Sequence, residues 1–387
     1  MKRALAILLL VGCGDDGATT RDAAPFDDAA RDADADPDAS TPSLCPTGMT
    51  LIADRTSCPT STVSPPQALL DTVAQPGAIV SMAGLDEGTL PCAPTAVCAP
   101  TGSATLFFSD DPEAPSTSGV LYADTVGPGR VRVYVYHVNA GASARKFSLV
   151  ALAGASDVNA TVVKEAVGTP GAAYVAIGKQ VAAAWMASTT NRAVTIAAGQ
   201  RVLLSTTLDA AHATTNQLVH AIIDIDLDAP AKISVVSVLA NDDAVTLTGG
   251  LSLLPYDGAH DRGTFPDADL LLETHAGGEG PSARHIRLGG NVTDADLVGR
   301  DATRGADTTL RGNYGVAYRF DITTPDALQL AASARGGTWA GALAPPVIPL
   351  GPLDGTTSAL WLGTTKQFQL IGGGGSSLPI DVIVLSP

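Results

Sequence analysis

The sequence predicts an all-β protein: two β-sandwich-like domains in series, with one short helix, after a disordered acidic linker. Three observations lead to that reading. Apolar residues recur at every second position along much of residues 101–248, the period of a strand with one buried face. Ala-Gly and Ala-Pro turns separate these runs at sandwich spacing. Residues 14–42 hold nine Asp and two Arg and almost no large apolar side chain. Such a segment cannot bury enough surface to offset its ordering entropy.

The chain opens with Lys2 and Arg3, then an apolar run from Ala4 to Val11, then Gly12 and Cys13. That is the layout of an export signal over residues 1–12. Eight apolar residues rise about 12 Å as a helix, too little for a hydrocarbon core of roughly 30 Å. Leu10-Val11-Gly12-Cys13 resembles the lipobox of bacterial lipoproteins. The resemblance implies that Cys13 is acylated and becomes the mature N-terminus, anchored to the membrane by its lipid. Gly14, rather than Asp, directly after Cys13 then favours the outer membrane over retention at the inner one. Residues 13–42 become the lipidated N-terminus and its tether, with a mean reach of about 30 Å as a flexible chain.

Four other cysteines, Cys45, Cys58, Cys92 and Cys98, lie in a Pro-rich preface over residues 43–100. An even number in an exported chain reads as two disulfides. Three pairings are open. The local one, Cys45–Cys58 with Cys92–Cys98, closes the shortest loops, and neither pair has the CxxC-like spacing of a zinc site.

Residues 101–248 form the first predicted sandwich. In Arg130–Asn139, Val131, Val133 and Val135 share one face. In Val219–Asp228, Val219, Ala221, Ile223, Ile225 and Leu227 line the inner face. Lys146–Ala153, Ala160–Glu165, Arg192–Ala197, Arg201–Thr206 and Ala231–Leu239 also read as strands rich in β-branched residues. Ile177, Val181 and Trp185 recur every four residues, predicting a short helix over Gly178–Ser188 that plugs one end of the sandwich. Gly249-Gly250 marks a boundary, and residues 249–387 form a second β-rich domain. Its strands are expected at Leu251–Leu254, Asp269–Thr274, His285–Leu288, Tyr314–Asp321, Leu328–Ala332, Ala359–Thr364, Phe368–Ile371 and Ile380–Leu385.

The formal charge is −16, and the folded body carries about −11 of it. An acidic body repels phosphate backbones, which excludes nucleic acid as a partner, and composition supplies no basic patch for anionic lipid. GxSxG, HExxH, P-loop and GxGxxG motifs are absent, so the reading is non-enzymatic. The sharpest candidate site is Asp224, Asp226 and Asp228. On a strand these share one face about 7 Å apart, and they are the candidate Ca²⁺ ligands. They lie with His220 on the expected outer, solvated face. Asp257, Asp261, Asp267 and Asp269 beside His260 form a second acidic group. Asp294, Asp296, Asp301 and Asp307, interleaved with Arg300 and Arg304, form a third; both read as turns. Tyr134, Tyr136, Trp339 and Trp361 are the available aromatic platforms for a sugar.

Phe107-Phe108-Ser109-Asp110-Asp111-Pro112-Glu113, Gly119-Val120-Leu121-Tyr122 and Tyr136-His137-Val138-Asn139 resemble a set of secreted bacterial β-rich proteins. Gly312-Asn313-Tyr314-Gly315-Val316-Ala317-Tyr318 is similar to their second half. The resemblance covers roughly residues 101–322 and implies export and a two-part β organisation. The expectation is a lipid-anchored envelope protein that binds or scaffolds an extracytoplasmic ligand. The alternative is a carbohydrate-binding or adhesive module supported by calcium.

Overall fold

The computed structural model describes residues 44–387 other than 60, 277–279, 325–326 and 355–357. The signal, Cys13 and the acidic linker lie outside the described residues. The chain is mostly strand, in four sheets that stack as sandwiches.

The first sandwich is built on an eight-stranded sheet. Its order is Ala306–Leu310, Leu297–Asp301, Arg262–Phe265, Thr105–Ser109, Gly129–Val138, Leu218–Leu227, Val158–Val167 and Arg192–Ile196. Facing it is a four-stranded sheet ordered Arg201–Leu203, Arg145–Ala153, Ala231–Leu239 and Gly119–Val126. The apolar row Val219, Ala221, Ile223 and Ile225 meets Phe147, Leu149, Ile233 and Val235 in one buried cluster, as the alternation requires. Each fully buried side chain of this size contributes about 1.5–3 kcal/mol.

The second sandwich pairs a seven-stranded and a five-stranded sheet. The seven run Met49–Arg55, Thr95–Pro100, Asp269–His275, Ala317–Thr323, Gln367–Gly372, Trp339–Ala344 and Ile348–Leu353. The five run Ser282–Leu288, Ile380–Ser386, Gln329–Ala334, Ser358–Gly363 and Ile79–Ser81. Leu270, Leu272 and Phe320 from one sheet meet Leu330, Val382 and Val384 from the other.

Both expected domain boundaries are crossed by strand pairing. Thr95–Pro100 of the preface bonds to Asp269–His275, and Arg262–Phe265 bonds to Thr105–Ser109. Residues Ser43–Pro387 form one compact unit. The period of a strand reports its buried face but not its hydrogen-bonded neighbour, which explains the difference. Between Val63 and Leu90, the preface also covers the outside of the five-stranded sheet, where Met82, Leu85 and Leu90 bury Trp361 and Ile383.

The helix runs Tyr174–Ala187, starting four residues before the predicted segment. It does not plug a sandwich end. Ile177, Val181 and Trp185 join the cluster that links the outer face of the eight-stranded sheet to the second sandwich. Gly178 permits that wedge: a Cβ there would lie 1.9 Å from the Gly374 carbonyl oxygen. The expected Leu251–Leu254 strand is absent; this segment makes only a bridge from Leu253 to Val120. The expected Tyr314–Asp321 strand begins at Ala317, because Asn313 and Gly315 adopt positive φ.

Two disulfides form, but not with the local pairing. They join Cys45 to Cys98 and Cys58 to Cys92. The cause is the antiparallel pairing of Met49–Arg55 with Thr95–Pro100, in which Arg55 faces Thr95. Three residues further along that register, Cys58 meets Cys92. Cys45 precedes a turn closed by the Met49 N–H on the Pro46 carbonyl, which returns its sulfur to Cys98.

Candidate functional site

Asp224 and Asp226 occupy one face of Leu218–Leu227, as the sequence spacing requires, but that face is solvated only towards Asp226 and is closed at His220 and Asp224. Asp224 and Arg132 are each only 2% exposed. The Arg132 Nε donates to Asp224 Oδ1 at 3.0 Å, and its Nη2 donates to Asp269 at 2.7 Å. Nη1 reaches into the second sandwich, donating to the carbonyls of Ala268 and Gly315 at 2.9 and 3.1 Å. The Trp185 indole N–H donates to Asp224 at 3.1 Å, and both Arg132 and Lys164 stand over its ring. Burial alone would lower the Arg132 pKa, but Asp224 and Asp269 outweigh it and raise it.

The next two members of the row have other partners. Asp226 receives a two-pronged bond from Arg130. Exposed Asp228 accepts from the backbone and side-chain N–H groups of Asn159, both at 2.8 Å. The three carboxylates therefore face different donors. Among the described residues, no group of three or more His, Cys, Asp or Glu is arranged to hold a metal ion.

The second acidic group disperses. Asp269 serves Arg132, and Asp261 pairs with Arg311. Asp257 accepts from His260 Nδ1 at 2.8 Å, while His260 Nε2 meets Glu113 at 2.5 Å. Glu113 and Asp257 together raise His260 to about 10. Burial would raise Asp257, but N–H donors from Ala259 and His260 outweigh it and hold the carboxyl below its usual range.

In the third group, Asp294 is buried and accepts from Tyr318, Asn313 and the Gly289 N–H. Asp301 joins an ion cluster that sequence reasoning missed. Arg262, itself buried, bridges Asp301 at 3.1 Å and Asp111 at 2.9 Å. Burial pushes Asp111 up to about 7 even so. Asp110-Asp111-Pro112 has the composition of an exposed turn, and nothing local marks Arg262 as the partner of Asp111.

His137 is buried and satisfied. Its Nδ1 lies 2.9 Å from the Pro112 carbonyl and its Nε2 2.9 Å from the Ser109 hydroxyl, with burial lowering it to about 3. Tyr134, Tyr136, Trp339 and Trp361 are all buried, so none is an exposed platform.

An open groove of about 400 Å³ lies outside the four-stranded sheet. Val150 and Leu152 form its floor, with Leu251 and Leu253 on one wall and Arg201 and Lys232 on the rim. Sequence reasoning missed it because these residues are brought together only by sheet register.

No family model matches the chain, and no curated protein sequence matches it. Solved structures similar to it include a cupin 2 conserved barrel domain protein from Leptotrichia buccalis. That protein is 8% identical, over 84% of this chain and 98% of the other, with a TM-score of 0.14. Vicilin from Corylus avellana (hazelnut) is 7% identical, over 68% and 75%, with a TM-score of 0.14. PBSX exported protein XepA is 13% identical, over 70% and 86%, with a TM-score of 0.13. At these TM-scores the likenesses carry no argument about function.

Proposed function

We propose that this chain is a lipid-anchored protein of the cell envelope, held at the outer membrane through Cys13, with a binding or scaffolding role and no catalysis. Cysteine usage carries the reading. Cys45, Cys58, Cys92 and Cys98 are consumed in two disulfides, which persist in oxidising compartments. The fifth cysteine stands directly after an apolar run with a basic start, where an export signal ends. One compartment accounts for both observations.

The non-catalytic part rests on how the polar clusters are closed. The carboxylates of Asp224, Asp301 and Asp381 are each held by arginine rather than aimed at a cleft. Burial of the four candidate aromatics weighs against the sugar-binding alternative.

The test is metabolic labelling with a radioactive or clickable palmitate, followed by membrane fractionation. The wild-type chain is expected to take up label and sediment with outer membranes. Cys13→Ser should lose the label and enter the soluble fraction. Equal labelling of the two chains would overturn the anchor.

A further inference from the structure

The groove outside the four-stranded sheet has a chemical character at odds with the chain around it. Its lining sets apolar Val150, Leu152, Leu251 and Leu253 beside the hydroxyls of Ser234, Thr248 and Thr303, and includes no Asp or Glu. The two charged groups on it are cations, in a protein of net charge −16.

Register places those cations. Arg201 and Lys232 are both cross-strand partners of Leu152, one on each side. Strands lie about 4.8 Å apart, so the two backbones stand roughly 10 Å apart across that leucine. Directly opposed residues share a face, so both side chains rise from the same surface, within reach of one small anion. Both residues are exposed. Arg201 is also directed: its guanidinium lies against the backbone at Gly249, where a Cβ would come within 3.2–3.3 Å of it.

Many of the other described cations have acidic partners. Lys146 bonds Asp209, and Arg130, Arg132, Arg262 and Arg287 each bond an aspartate. Among the described residues Arg201 and Lys232 have no such ion pair, nor do seven others, Lys179, Arg284 and Lys366 among them; what sets these two apart is a shared groove whose lining holds no carboxylate. A ligand anion would supply the opposite charge, and the leucines and valines of the lining would take an uncharged body.

We propose that this groove binds a small single-chain amphiphile with an oxyanion head, a carboxylate or a monoalkyl phosphate. Arg201 and Lys232 hold the head, and Val150, Leu152, Leu251 and Leu253 cover the chain. The volume sits at the low end of ligand sites, roughly 300–1,000 Å³, which suits one short chain rather than a two-chain lipid. The inference names a ligand for the binding role proposed above. It is independent of acylation, so its test uses the full chain carrying Cys13→Ser, free of lipid and detergent.

Decanoate, decyl phosphate, decanol and decyltrimethylammonium are titrated calorimetrically below their micellar concentrations. The two anions are expected to bind, with decanol weaker and the cation weakest. Charge-assisted hydrogen bonds of this kind carry about tenfold or more in affinity. Arg201→Gln and Lys232→Gln should each weaken decanoate by at least that factor, with melting temperature unchanged because both side chains are exposed. Raised salt should weaken it further. Unchanged affinity in both variants, or equal binding of all four probes, would overturn the proposal. So would binding to phosphatidylglycerol vesicles without binding to decanoate, which would place the ligand in a bilayer.

Discussion

The two faces of the Leu218–Leu227 strand meet opposite demands. Val219, Ala221, Ile223 and Ile225 point into a sandwich core, where they join one large apolar cluster. On the other face, His220 and Asp224 are just as buried, yet they meet a helix, an arginine and the second sandwich. One face is satisfied by filling space, which many apolar side chains can do. The other is satisfied by specific partners: Asp224 needs Arg132, and Arg132 needs Asp269 and two carbonyls from the neighbouring sandwich. Burial alone therefore does not describe a strand; tolerance to substitution differs sharply between its faces.

The largest effect should come from the polar face. Arg132→Met leaves buried Asp224 and part-exposed Asp269 without their shared cation, a loss of about 3–5 kcal/mol. Chemical denaturation would measure it, and a loss below that of a core methyl would break the comparison. On the apolar face, Ile223→Val should cost about 0.5–1.5 kcal/mol, read by the same melt. A larger cost there would mean that shape, rather than partner chemistry, limits both faces.

A smaller effect separates sealed charge from half-open charge. His260, between Glu113 and Asp257, is partly exposed and raised to about 10. A histidine raised on folding adds stability that is complete below about pH 6.5 and is lost as pH climbs towards 10. His260→Gln should therefore flatten the decline in melting temperature between pH 6 and pH 10. An identical decline in both proteins would show that the ring takes no part in it.

Much of the fold was legible because several strands are amphipathic. Ala231–Leu239 was placed at its true ends, and Gly129–Val138 and Leu218–Leu227 within a residue. Strands that were missed lacked that contrast. Thr105–Ser109 is central and buried on both faces, so its residues do not alternate. Trp339–Ala344 is largely Ala and Gly, with little pattern to read. The disulfide pairing was hidden for the same reason, since it follows from two preface strands that composition did not reveal. The aspartate row was legible as a row, but the burial of Asp224 within it was not, because that environment is supplied by Arg132, Trp185 and Asp269 from distant segments. Arg201 and Lys232 were invisible as a pair, being neighbours only through Leu152.

The Cys45–Cys98 bridge has a mechanical consequence. Tension arriving along the chain from its N-terminal side meets Cys45 before it meets any strand. The sulfur bridge passes that load to Cys98, which sits within Thr95–Pro100 between Met49–Arg55 and Asp269–His275. The force then acts on a strand hydrogen-bonded along both edges, so its ladders must yield together in shear. Without the bridge, the same pull would start at Met49 and unzip the outermost strand one bond at a time.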